Sequence, residues 1–169
     1  MDKMSEDQLI EELLQPVFAQ LGFTRMSISG HKDKALEYGN DFWMKYQLPT
    51  THFLYFAAQV KKAKLDSAGR TRNTNISEVL NQISMVLKHP IWDPETNKRV
   101  LIDHVFIISA GEITKQAKEW LGQHLDLDSR RQVIFMDRDD ILNLAIGMKF
   151  AFEQEEPGKR WPPDGRVPF

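Results

Sequence analysis

Cysteine is absent from the 169 residues, which excludes disulfides, zinc-thiolate clusters and cysteine nucleophiles. Any metal must therefore be held by oxygen or by histidine. No segment approaches the roughly 20 apolar residues of a membrane span, and the opening MDKMSEDQLIEELL carries charge where a signal peptide needs an apolar core. A cytoplasmic protein without membrane contact is the expectation. An excess of one charge is also missing. A net charge of −2 and a sequence pI near 6.2 give no global attraction to a phosphate backbone, so nucleic-acid binding would need a local basic patch. The histidines, His31, His52, His89, His104 and His124, lack metal-ligand spacing such as HxxxH, and no role is assigned to them. His104 lies inside an apolar run and reads as a hydrogen-bonded core residue.

The length suits one domain with a single core. Leu9, Ile10, Leu13, Leu14, Val17, Phe18 and Leu21 recur at spacings of three and four, the stripe of a buried helix that starts near Ser5 and stops at Gly22. Pro16 inside that stripe should kink the helix or remove one of its hydrogen bonds. Phe23 to Ser29 alternates weakly as a first strand, and Gly30 to Asn40 is a polar loop. Asp41 to Tyr46 and His52 to Lys61 are rich in aromatic and β-favouring residues around a QLPTT turn, which makes a β-hairpin. The aromatic pairs Phe42-Trp43 and Tyr55-Phe56 suit packing in that hairpin better than base stacking.

Leu65 to Asn75 reads as a polar loop, and Ile76 to Leu87 as an amphipathic helix. HPIWDPETNKR then forms a turn-rich connection. Val100 to Ser109 is an apolar run of the kind expected for a strand covered on both faces. A helix over Glu112 to His124, a short strand over Gln132 to Met136 and a helix from Asp137 follow. The order αβββαβαβα implies an α/β fold in three layers, with a mixed sheet between helices. Residues 1–150 form the domain, and the proline-rich 151–169 reads as an extended tail.

Chemistry concentrates on the hairpin. A hairpin register brings Asp41, Gln59 and Lys61 to one edge of the sheet, with residues 59 and 61 on one face about 6 to 7 Å apart. Metal-dependent phosphodiester hydrolysis needs hard oxygen ligands for a cation that polarises the phosphate and acidifies a water, and it profits from a lysine that offsets developing charge. Taken singly, Asp41 also reads as a solvated strand-opening aspartate, and Gln59 and Lys61 as polar residues of an edge strand. Lys62, Lys64, Arg70 and Arg72 form the densest basic patch beside this edge and are candidates for phosphate contacts, against the alternative of a solvated loop. Gln82, on the helix after this strand, reads either as a site neighbour or as an ordinary polar helix position.

With Gly39-Asn40-Asp41 as the motif aspartate and Gln59-Val60-Lys61 as a QxK, the chain resembles the PD-(D/E)XK nuclease superfamily, its Mrr-like branch in particular, over roughly residues 6 to 146. NISEVLNQI, VFIISAGEITKQAKEWL and QVIFMDRDDIL resemble the later elements of that branch. The resemblance implies a restriction-endonuclease-like fold and a metal site for Mg²⁺ or Mn²⁺ made by Asp41, the Gln59 side-chain oxygen and the Val60 carbonyl. It also implies that Lys61 orients or activates water, and it points to Glu11 as an acidic residue from the first helix. The implied function is a deoxyribonuclease of restriction type with DNA as partner, working as a homodimer or in a larger complex. The alternative is a non-catalytic module of the same fold that binds DNA or protein.

Overall fold

A computed structural model of the chain describes residues 5–28, 40–67, 76–155 and 158. The first helix comes in three continuous pieces, α1 (Glu6–Leu9), a π-helical turn (Ile10–Leu14) and α2 (Gln15–Gln20). Ser5 begins it with a reciprocal capping box, its hydroxyl accepting from the Gln8 N–H while the Gln8 side chain accepts from the Ser5 N–H. The π turn is the helix's answer to Pro16. Proline has no N–H to give and its ring crowds the carbonyl four residues back, and a wider turn immediately before it relieves both problems. The helix thus continues through Pro16 with a π turn immediately before it.

Five strands make one sheet in the order β1-β2-β3-β6-β7. They are β1 (Phe23–Ile28), β2 (Phe42–Gln47), β3 (Phe53–Lys61), β6 (His104–Ser109) and β7 (Val133–Met136). The first three pair antiparallel, and β6 and β7 add in parallel. This is the expected mixed sheet. Among the described residues, the helices α3 (Ile76–Lys88), α4 (Lys115–His124), α5 (Leu127–Gln132) and α6 (Arg138–Glu155) and a small hairpin, β4 (Ile91–Asp93) and β5 (Lys98–Val100), accompany the sheet. None of the described helices is long and apolar enough to cross a membrane.

Alternation along β3 divides two cores. Phe56, Ala58 and Val60 face Leu13, Leu14, Phe18, Ile141 and Ala145 of the first and last helices. Tyr55 and Ala57 face the other way, toward Val79 and Ile83 of α3 and Leu121 of α4. Each fully buried large apolar side chain contributes about 1.5–3 kcal/mol, so a shift of register by one residue, which would exchange the two faces, is strongly disfavoured. That is what fixes the register at the end of β3.

The structure departs from the sequence expectations in four places. The connection after α3 is the β4–β5 hairpin, and it claims Val100, so the covered strand starts at His104. The additional helix α5 is capped by Asp126, whose carboxylate accepts from the Ser129 N–H. Helix α6 runs to Glu155, beyond the boundary expected at 150, and the rest of the tail lies outside the described residues except Gly158. His104 stacks on Phe56 at 5.3 Å instead of making a core hydrogen bond, and its Nδ1 is buried without a partner.

The small hairpin is fastened by a buried charge cluster. Lys45, 2% exposed, and the fully buried Asp93 form an ion pair at 3.2 Å, and Lys45 also pairs with Glu95. Asp93 further accepts from the Tyr55 hydroxyl at 2.9 Å, the Thr96 hydroxyl at 3.1 Å and the Glu95 N–H at 3.0 Å. Burial pulls the Asp93 carboxyl up, but these donors together with Lys45 hold it down at about 2. Its folded pKa lies below the unfolded 3.8, so its contribution to stability is complete above that pH and is lost as pH falls toward 2. Lys45→Ala leaves the buried carboxylate without its cation and should cost about 3 kcal/mol or more in urea unfolding. A loss below about 1 kcal/mol would show that the neutral donors alone satisfy Asp93.

Candidate active site

The site lies where the β2–β3 pairing begins. Phe42 stands opposite Ala58, and the Asp41 N–H donates to the same Ala58 carbonyl at 2.9 Å, so the backbone at Asp41 is fixed at the start of the ladder. One Asp41 oxygen, Oδ2, accepts from Gln59 Nε2 at 2.8 Å and from the Val60 N–H at 2.6 Å. The expected juxtaposition of Asp41, Gln59 and Val60 is present.

Lys61 closes the strand. Its carbonyl accepts from the Ala110 N–H at 2.9 Å, which turns its backbone toward β6. Backbone direction alternates along a strand, so the Val60 N–H and carbonyl turn toward the β2 side, where Asp41 is. The same alternation puts Gln59 and Lys61 side chains on one face.

The electrostatics at Asp41 are those of a carboxylate short of positive charge. Burial pushes it up to about 6, against the pull of the Val60 N–H, the Lys61 charge and the Gln59 amide. Glu6 adds to the rise by repulsion. Gln59 is 4% exposed, and its Oε1 is buried with no hydrogen-bond partner. An orphaned amide oxygen beside a desolvated carboxylate is an arrangement that a hard cation would satisfy. The amide's Nε2-toward-Asp41 orientation is the one that carboxylate selects when no cation is present.

Glu6, not singled out in the sequence, is a first-helix carboxylate that acts on Asp41. Its carboxylate accepts from the Lys62 N–H at 3.0 Å and raises the Asp41 pKa by repulsion. Glu11, the expected residue, is exposed on the π turn, and no contact joins it to Asp41 among the described residues. Both are glutamates of one helix, and the available signal was position: Glu6 follows the capping serine directly and so sits where the helix meets the sheet's end.

The segment after β3 is clamped to the turn after β6. The Ser109 hydroxyl donates to the Ala63 carbonyl at 2.9 Å, the Leu65 N–H donates to the Glu112 carbonyl at 3.0 Å and the Thr114 N–H to the Leu65 carbonyl at 3.1 Å. Gly111 allows this approach, since a Cβ there would lie 2.9 Å from the Lys64 nitrogen. Of the expected phosphate-contacting residues, Lys62 is exposed and Lys64 pairs with Glu112 at 2.6 Å. Arg70 and Arg72 lie outside the described residues. Gln82 bonds weakly to Glu78 at 3.4 Å, and its buried Oε1 has no partner.

No family model and no curated protein matches the chain. Among solved structures, the chain is similar to the MspJI restriction endonuclease in complex with a 27-mer oligonucleotide, at 12% identity and a TM-score of 0.45 over 89% of this chain. The chain spans 29% of that protein's length. A likeness of this size carries no argument about what the chain does.

The raised Asp41 pKa makes a signed prediction for the protein in EDTA. Folded Asp41 titrates near 6 against 3.8 unfolded, so its stabilising contribution is fully present below 3.8 and is lost as pH rises through 6. Asp41→Asn keeps both acceptor contacts without the charge. It should be the more stable protein at pH 7 by about 1–2 kcal/mol, the shift discounted for partial exposure, with the difference vanishing near pH 4. Thermal melts across that range measure it, and an Asn variant less stable at pH 7 would contradict the assigned desolvation.

Proposed function

We propose that the chain is a divalent-cation-dependent endonuclease that hydrolyses phosphodiester bonds in DNA. The observation that carries this reading is a desolvated Asp41 carboxylate bonded by Gln59, whose Oε1 is orphaned, with Lys61 two residues further along the same face of β3. Asp41, the Gln59 amide oxygen and the Val60 carbonyl would hold Mg²⁺ or Mn²⁺, with Glu6 in the role the resemblance gave to an acid of the first helix. A cation there supplies Lewis acidity to the phosphate and makes water more acidic. Lys61 offsets the negative charge that develops on the phosphate and orients the attacking water. The restriction-type resemblance carries the biological reading, cleavage of foreign DNA by a homodimer or larger complex that engages both strands.

A second reading has its own observation. Among the described residues no group of three or more His, Asp or Glu side chains is placed to hold a metal ion, so the donor set depends on a neutral amide and a backbone carbonyl. That favours a non-catalytic module of the same fold that binds DNA or protein.

Purified protein incubated with supercoiled plasmid and Mg²⁺ or Mn²⁺ separates the two. The nuclease reading expects nicking that EDTA abolishes and that falls at least about 100-fold in Asp41→Ala and in Lys61→Ala. Plasmid binding without cutting under either ion would establish the non-catalytic module instead.

A further inference from the structure

The β4–β5 hairpin presents a surface that the nuclease site does not use. Ile91 and Asp93 are buried, so the pleat turns Trp92 outward, where it is 51% exposed. Its direct cross-strand partner is Arg99, also exposed. Leu101, two residues on, is 60% exposed. Among the described residues the Trp92 ring enters no ring contact and no hydrogen bond.

Lys98 stands opposite Asp93, on the face away from Trp92 and Arg99. Both of its carboxylates, Asp93 and Glu95, pair with Lys45 on β2. The outward face keeps an indole plane and a guanidinium about 5 Å apart at their Cβ atoms, the spacing of directly opposed residues. The hairpin is also rigid at its base, because Asp93 is tied to Tyr55 and Lys45 of the main sheet. An aromatic plane beside a cation on a fixed ribbon matches the two demands of an unstacked nucleotide, a π face for the base and a positive charge for its phosphate.

We propose that the outward face of the β4–β5 hairpin is a secondary binding site for single-stranded DNA, with Trp92 stacking on an unpaired base and Arg99 contacting the adjoining phosphate. The proposal rests on the DNA reading of the site at Asp41. Tyr55, which anchors the hairpin, and Gln59 are four residues apart on β3, about 13 Å along the strand.

The test is fluorescence anisotropy of labelled oligothymidylate and of a mixed-sequence duplex, both in EDTA so that nothing is cut. Trp92→Ala should weaken oligothymidylate binding about tenfold or more, Trp92→Phe should recover most of it, and duplex binding should change less. Arg99→Ala should lower the slope of log affinity against log salt by about one. Melting temperature and sedimentation of each variant accompany the titrations. Unchanged oligothymidylate binding in Trp92→Ala overturns the proposal, and if plasmid is still cut the nuclease reading stands without it. Loss of a dimer in Trp92→Ala with DNA binding intact also overturns it and assigns the face to a second copy of the chain. Absence of any DNA binding by the wild-type protein overturns the proposal, and absence of plasmid cutting under Mg²⁺ or Mn²⁺ as well overturns both readings.

Discussion

The antiparallel register of β2 against β3 is the constraint on which the site depends. It is imposed by two apolar cores that accept Phe56, Ala58 and Val60 on one side and Tyr55 and Ala57 on the other. With Phe42 set opposite Ala58, the Asp41 carboxylate meets the Gln59 amide and the Val60 N–H at the end of β3. The fold thereby forces a carboxylate into partial burial without giving it a full counter-charge. The raised Asp41 pKa and the unpartnered Gln59 oxygen are two consequences of that one placement.

A second fixed point lies toward the other end of β3. There Lys45 and Asp93 bury opposite charges together, and Tyr55 and Thr96 satisfy the remaining acceptor capacity. The two sites contrast instructively. Asp93 has a full set of donors and is held near 2, whereas Asp41 has two donors on one oxygen and is pushed near 6. A satisfied buried carboxylate serves architecture, and an unsatisfied one is where a ligand gains most by binding.

Much of this was legible in the sequence because periodicity reports burial. The hairpin over 41–61, the covered strand ending at Ser109 and the helix after Ile76 all followed from the spacing of apolar residues, and so did the meeting of Asp41 with Gln59. The acid of the first helix was not legible, because Glu6 and Glu11 differ only in which of them reaches the sheet's end, and that depends on where the helix docks. The hairpin over 91–100 was hidden by its turn residues. Its signal was an unexplained Lys45 in an otherwise apolar strand, which required a buried acid from elsewhere in the chain. Arg70 and Arg72 belong to a stretch whose pattern specifies no regular element.

Under the proposed function, Asp41 and Gln59 together form an oxygen site for a divalent cation. Titration of the protein with Mn²⁺, followed by the electron paramagnetic resonance signal of the free ion, tests it without reference to any reaction. The account predicts one saturable site per chain that is lost in Asp41→Asn and weakened about tenfold in Gln59→Ala, with added Mg²⁺ competing. No saturable uptake by the wild-type protein, or uptake that Gln59→Ala leaves unchanged, would contradict it.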